Sequence, residues 1–516
     1  MAKFRLQHRE FAPRGGASYD RSGYSPISHV SPYASARGAP TTHQVSETMP
    51  ESIVCTLPVS DARFQIDTNV IVVGGGAAGL VSALAAREGG AEVVVFERDE
   101  RLRGSTALSS GLVPAADTLL QREAGVLDSA ALLARDIQAK AHGQANEDVV
   151  QALAEVIGPT IDWLITRHGV SLTLIDGFSY PGHSVRRMHG PAERTGRRLM
   201  ADLERAALAA GVDILSAAQV NTLFVEGDTV CGVRVDRPDG SHEDVACEAL
   251  VLACSGYAGN KALLQRYLPD MLEAAFLGHS GNEGHAVQWG EQLGAGLGDM
   301  GAFQGHGSVA IPHQIGISWA LMMSGGYQVN RLGERFANEH RGYSEQARDV
   351  LKQPGAVAFN IFDERCHQLG MAFDHYREAA HAGAVVVCPT LEALAKALQI
   401  PSEGLARTHA AVLHCAAGNA DPLGRDFTTQ PALTAPYYGI RITGGLYHTQ
   451  GGLEVDASAR VLKRNGSPFP NLWAAGGAAR CVSGPADWGY LAGNGLLSAL
   501  GLGRLAGQCA ARGLRR

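Results

Sequence analysis

The stretch Val70–Glu97, VIVVGGGAAGLVSALAAREGGAEVVVFE, constrains this chain more than any other. An apolar run, 70–73, leads into Gly74, Gly76 and Gly79 in G-x-G-x-x-G spacing. An Ala- and Leu-rich segment follows, then a second apolar run, 93–96, and Glu97. That order predicts one βαβ unit. The first glycine permits a tight turn, the second lets the backbone approach a pyrophosphate, and the third lets helix and strand pack closely; the helix N-terminus offers free N–H groups to the anion. Glu97 ends the second strand, where a carboxylate binds ribose hydroxyls. Strand before, helix after and acid in register separate a dinucleotide site from a chance glycine-rich turn.

With 516 residues, 45% hydrophobic and 18% charged, the chain can fill two or more domains. Its net charge of −7 gives no general electrostatic reason to bind nucleic acid. Nine cysteines are scattered, without C-x-x-C, haem-attachment or iron–sulfur spacing. They read as buried or free thiols of a reducing, cytoplasmic compartment, and no metal site is expected. No apolar run approaches the roughly 18 residues that span a bilayer, so no transmembrane segment is expected.

Residues 1–60, rich in Ser, Pro, Gly, Arg, His and Tyr, read as a disordered N-terminal extension, and Met49 is a possible alternative start. In RLRGSTALSSGLVP, 101–114, small residues and hydroxyls suit a loop passing close to a flat ring. Apolar residues spaced by three and four over 129–168 predict core-facing helices, and another helix is expected over 198–210. Strands are expected at 212–215, 219–225, 230–235 and 249–253, the last ending in Cys254, Ser255 and Gly256. Residues 282–439 carry more His, Met and aromatic residues and read as an inserted domain covering the cofactor. The small-residue texture then resumes, with LAGNGLLSALGLGRLAG entering a helix near Asn494. The fold class is therefore α/β: a Rossmann-type domain in two segments, 61–281 and 440–516, with an inserted α+β cap, 282–439.

At this point the chain resembles the fumarate reductase and succinate dehydrogenase flavoprotein superfamily. The residues that carry the resemblance are VIVVGGGAAGL with FER, GSTALSSG, VLACSGYAG, GGYQVNRLGERFANE, GGLYHTQGG, NLWAAGG and LAGNGLLSALGLGRLAG, in family order. The resemblance implies noncovalent FAD, since no histidine in GSTALSSG matches the attachment point of relatives. It implies cofactor contacts at Gly74, Gly76, Ala78, Gly79, Glu97 and Arg98, at Gly104, Ser105, Thr106, Ser110 and Gly111, at Val220, Ser255 and Gly256, and at Gly476, Asn494, Leu496 and Leu497. The helix beginning near Asn494 would aim its N-terminal dipole at the flavin N1–C2 edge.

The active-site motifs depart from the fumarate reductases. Tyr343 stands where their proton-donating arginine is expected, Tyr490 where a second substrate arginine is expected, and Trp319 and Met322 where their proton path runs. His306 and His448 match. Arginine is the natural bidentate partner of a carboxylate, so losing both loosens the grip on a small dicarboxylate. Two phenols favour a ketone, because a tyrosine can donate to a carbonyl or, partly ionised, remove the adjacent proton. In this respect the chain is similar to the 3-ketosteroid dehydrogenases, with Tyr180 in the place of an assisting tyrosine. Their Y-P-G-x-G element is absent, and GAARCVSG at 477–484 stands instead.

The expected activity is FAD-dependent introduction of a double bond beside the ketone of a small cyclic compound. Tyr343 is the base, His306, His448 and Tyr490 orient the substrate, and an external acceptor, oxygen, a quinone or a dye-like carrier, reoxidises the flavin. One alternative is a reductase of activated alkenes, or a dehydrogenase of carboxylic acids such as tricarballylate, with Arg341 or Arg441 as the cation. Another is an electron-transfer flavoprotein subunit of a complex.

Overall fold

A computed structural model describes residues 54–175 and 180–514. The first 53 residues of the expected extension lie outside the described residues. Its end does not read as expected, because Cys55–Pro58 is a strand paired in parallel with Gln219–Glu226.

The βαβ unit forms as the spacing predicts: strand Phe64–Val73, helix Ala77–Glu88, strand Val93–Phe96. Both strands belong to a nine-stranded sheet in which Asp213–Leu215, Val93–Phe96, Phe64–Val73, His242–Leu252 and Pro468–Ala474 run side by side, all parallel. The apolar runs 70–73 and 93–96 are continuous because parallel strands covered on both faces are buried on both faces, and every residue in them is buried. The last strand comes from 216 residues after His242–Leu252, which brings two distant segments of the chain into one sheet.

The C-terminal glycines have a packing reason. Helix Asn494–Gly513 lies against helix Ala77–Glu88, and a Cβ on Gly503 would sit 2.7 Å from the Ala78 carbonyl oxygen and one on Gly507 2.1 Å from that of Ser82. Only residues without side chains allow that approach. Helix Glu147–His168 packs on the far side of Asn494–Gly513. Contrary to the reading of the apolar runs, it is long and apolar enough to cross a bilayer by length and composition, yet 56% of its apolar window is buried inside the protein.

A second, seven-stranded sheet is built from Phe303–Ala310, Ile315–Gly316, Tyr327–Asn330, Ala358–Asp363 and Val385–Cys388 around the long strand Tyr437–Thr449, with Ala275–Phe276 beside it. The boundary expected at 439/440 falls inside that strand. The whole strand pairs within the second sheet, Thr449 lying opposite Phe303. Thr449 also accepts a hydrogen bond from Tyr257 N at 3.1 Å, next to the end of the first sheet. One strand thus carries His448 from the second layer to the rim of the first.

Candidate active site

Gly74 turns at φ +107°, and a Cβ there would lie 2.5 Å from the Ala253 carbonyl oxygen; one on Gly79 would lie 1.9 Å from that of Gly74. The turn is held by Glu97, whose Oε2 accepts from Gly75 N at 2.7 Å and whose Oε1 accepts from Asp99 N at 2.9 Å. The segment expected as a loop at 101–114 instead contains a short helix, Gly104–Leu108, and Thr106 Oγ1 accepts from Ala77 N at 3.3 Å. These elements open onto one large cavity of about 760 Å³.

Of the expected cofactor positions, Gly74, Gly76, Ala78, Glu97, Arg98, Gly104, Ser105, Thr106, Ser110, Val220, Ser255, Gly476 and Leu496 line the cavity. Gly79, Gly111, Gly256, Asn494 and Leu497 do not. Gly79 and Gly256 are small because the backbone and Thr449 press on them, and Asn494 and Leu497 are fully buried in the core. Arg98 is held by Glu283 at 2.8 Å and Asp99 at 3.4 Å.

The residues fit FAD. A turn without side chains and the open N-terminus of Ala77–Glu88 suit a pyrophosphate, and Glu97 keeps lone pairs for ribose hydroxyls. Gly476, Gly477, Gly493, Gly495 and Ala499 leave a side-chain-poor wall that a flat ring can approach.

The cavity continues between the two sheets, where Tyr343, Tyr490, Tyr180, His306 and His448 all line it. Tyr343 begins helix Tyr343–Leu351, which lies flat on the strand carrying His306. Ser344 Oγ accepts from Gly305 N at 2.9 Å and donates to the Phe303 carbonyl at 3.2 Å. The same helix holds the Tyr490 turn, since Arg348 donates to Asp487 at 3.0 Å. Tyr180 is placed from the other side: His183 meets the Ala492 carbonyl at 2.9 Å, and Ser184 N donates to Asp136 at 2.8 Å. Arg187, fully buried, pairs with both Asp128 and Asp136 and fixes this segment.

The rings form a continuous cluster. Tyr343 stands 5.5 Å from His306 and 6.2 Å from Tyr490, and Tyr490 stands 6.0 Å from His448. Burial pushes both histidines down to about 4, so both are neutral near pH 7. Ser308 N donates to His306 Nδ1 at 3.1 Å, which leaves the proton of the neutral ring on Nε2 as a donor into the cavity. Burial, then the phenols of Tyr490, Tyr180 and Tyr447, push the Tyr343 phenol well above its ordinary value. Tyr343 is therefore more completely protonated at neutral pH than an exposed phenol. Tyr490 is raised by burial as well, and so is Tyr180.

The two cations considered for a carboxylate do not reach the cavity. Arg341 is exposed and pairs with Asp349 at 2.7 Å, and Arg441 is exposed on its strand. Trp319 is a wall residue whose Nε1 donates to the Glu339 carbonyl at 3.1 Å, while the backbone carbonyl of Met322 accepts from Arg425 at 2.9 Å.

The sequence reading missed Tyr447 and Arg194, both on the cavity wall. Alternation along a strand sends Tyr447 and His448 to opposite faces. Here the pairing jumps from Gln304 with His448 to Gly305 with Leu446, so Tyr447 is the extra residue of a bulge and is re-aimed. Arg194, at φ +52°, is brought in by the turn before helix Gly196–Ala209.

Known proteins are similar to this chain in sequence and fold. The chain is 29% identical over 455 residues to the NADH:fumarate oxidoreductase of Klebsiella pneumoniae (strain 342), covering 87% of this chain and 48% of that protein, so it spans about half of that relative's length. It is 25% identical over 504 residues to the 4-oxocyclohexanecarboxylate 2-dehydrogenase of Sinomonas cyclohexanicum, covering 80% of this chain and 87% of that protein. The solved open conformation of a flavocytochrome c3 fumarate reductase superposes with a TM-score of 0.75 at 28% identity, covering 87% of this chain and 79% of that one. Residues 69–496 match the FAD binding domain family, and with the glycine turn, Glu97 and the cavity in place the chain belongs to that family as a FAD-dependent oxidoreductase of the fumarate reductase flavoprotein superfamily.

Proposed function

We propose that this chain is a dehydrogenase acting on a CH–CH bond beside a ketone, in a small cyclic substrate held between the FAD-binding layer and the second sheet acting as a cap. The observation that carries this reading is the ring cluster: two neutral imidazoles and four protonated phenols, those of Tyr343, Tyr490, Tyr180 and Tyr447, meet at one end of the cavity. Such a surface offers hydrogen bonds to a carbonyl oxygen, whereas a dicarboxylate demands paired guanidiniums. The Sinomonas relative, named for a cyclic oxo acid, supports the substrate class.

Bound FAD supplies the acceptor for the β-hydride. Tyr343 takes the α-proton through the small fraction of phenolate that its raised pKa allows, a weakly populated but strong base. His306 Nε2–H and the Tyr490 hydroxyl hold the carbonyl oxygen and stabilise the charge that gathers there as the α-proton leaves. His448 helps orient the substrate, Tyr180 confines its ring, and the apolar side chains of Trp319, Met323 and Phe373 exclude water. An external electron acceptor completes the cycle.

Arg194 favours a second reading, dehydrogenation of an acid or reduction of an unsaturated acid, because it brings a guanidinium to the cavity wall. Anaerobic mixing separates the two. Bleaching of the flavin's visible band by saturated cyclic ketones, with an enone as product, establishes the ketone reading. Bleaching only by carboxylic acids without a ketone, or reoxidation of reduced enzyme only by unsaturated acids, establishes the other.

A further inference from the structure

His448 is tied to the start of the last helix by buried hydrogen bonds that the steps above leave unused. Gln450 Nε2 donates to His448 Nδ1 at 3.1 Å, Ser483 Oγ donates to Gln450 Oε1 at 2.8 Å, and Asn494 Nδ2 donates to Ser483 Oγ at 3.1 Å. Gln450 and Ser483 are each 1% exposed and Asn494 0%, so solvent does not compete for these bonds. Three segments far apart in sequence meet here: the end of strand Tyr437–Thr449, the turn after the strand Pro468–Ala474, and helix Asn494–Gly513.

The chain of bonds has a direction. Serine has a single O–H, so once Asn494 donates to it, Ser483 must donate onward, and Gln450 must present its N–H to the imidazole. The Thr449 carbonyl, 3.3 Å from Nδ1, pulls the other way. Reversal would turn both amides over. Asn494 now leaves one oxygen without a partner; reversed, it would leave an NH2 group with two donors unpaired in the core, the costlier defect.

We propose that Gln450 and Ser483 are positioning residues that fix His448 in the tautomer with its proton on Nε2, making it a neutral hydrogen-bond donor to the substrate carbonyl. The inference rests on the ketone reading for its role, since a neutral donor polarises a carbonyl but forms no ion pair with a carboxylate. Nε2 is the free edge of the ring and lies beside Gly495 on the cavity wall, where a Cβ would stand only 2.9 Å away. Burial holds the ring's pKa down to about 4, which keeps it from charging.

The test reads the tautomer directly in oxidised, FAD-loaded protein without substrate. Histidine is labelled with 15N, and the His448 signals are assigned by their loss in His448→Gln. The expected wild-type pattern is an unprotonated Nδ1 and a protonated Nε2. Gln450→Glu, whose carboxylate can only accept, should invert it, and Ser483→Ala should mix the two forms. In both variants kcat for the ketone should fall roughly tenfold, the scale of one hydrogen bond, with flavin content unchanged. A wild-type ring protonated on Nδ1, or a pattern unmoved by Gln450→Glu, overturns the proposal. If the tautomer is as stated and no ketone bleaches the flavin, the ketone reading and the carbonyl-donor role fail, and the fixing of the tautomer by Gln450 and Ser483 stands.

Discussion

The rings of His306 and Tyr343 stand 5.5 Å apart and 32° from parallel, although one sits on a strand and the other opens a helix 37 residues later. Glycines set that distance. Gly305 and Gly307 flank His306, and a Cβ on Gly305 would lie 2.7 Å from Ala347 Cβ and 2.8 Å from the Ser344 carbonyl oxygen. Gly305→Ala should therefore lift the helix from the strand and carry Tyr343 out of place. Turnover should fall about a hundredfold or more, as displacement of a reacting group by an ångström does. Flavin content, read from absorbance of the purified protein, should stay unchanged.

Tyr343→Phe removes the hydroxyl while keeping the ring in its cluster. Loss of a general base costs about 10²–10⁴-fold in rate. The expected result is that loss in kcat with FAD still bound. Retained turnover would remove the tyrosine-base mechanism.

Glu97→Ala releases two backbone N–H groups, those of Gly75 and Asp99, along with any hydrogen bond to ribose. The glycine turn should loosen, and the protein should purify with substoichiometric flavin. Titration of the apoprotein with FAD measures the loss of affinity. Unchanged affinity would show that the carboxylate neither holds the cofactor nor shapes the turn for it.

The parts of this architecture written by local rules were legible in the sequence. The turn at Gly74, the buried strands 70–73 and 93–96, and the helix near Asn494 follow from spacing and apolarity, and each is where it was expected. The family motifs brought Tyr343, Tyr490, His306 and His448 to one cavity. What the sequence hid depends on tertiary contact. Tyr447 enters the site through a bulge that alternation cannot show, and Arg194 through a turn with positive φ. How small the phenolate fraction at Tyr343 is was hidden for a related reason. Chemistry names the group, but its pKa is set by burial among other phenols that converge only in the fold.

Acid should destabilise the protein through its buried imidazoles. His306 titrates near 4 in the fold against 6.5 in the unfolded chain, so the unfolded chain binds the proton first. Stability is fully present above pH 6.5 and is lost as pH falls from there towards 4, by up to about 3 kcal/mol for a shift of this size. His448, lowered to the same value, adds a loss in the same window. Denaturant midpoints across this range should fall steeply in the wild type and less steeply in His306→Asn.

The pH dependence of the reaction should run the same way but in a more alkaline window. Oxidation through Tyr343 needs the phenolate, and the group is held well above its ordinary value by burial and by neighbouring phenols. Below its pKa the ionised fraction grows about tenfold for each pH unit. The kcat/KM for a saturated ketone should therefore climb from neutral pH and still be climbing near pH 10, the usual phenol value. Glu345, two residues along the same helix, adds negative charge beside the phenol and raises it further. Glu345→Gln should accordingly move the rising limb to lower pH, although it also breaks the pair with Lys140. A plateau beginning between pH 6 and 8 would assign the proton to a histidine, and Tyr343 would then be a donor to the carbonyl rather than the base.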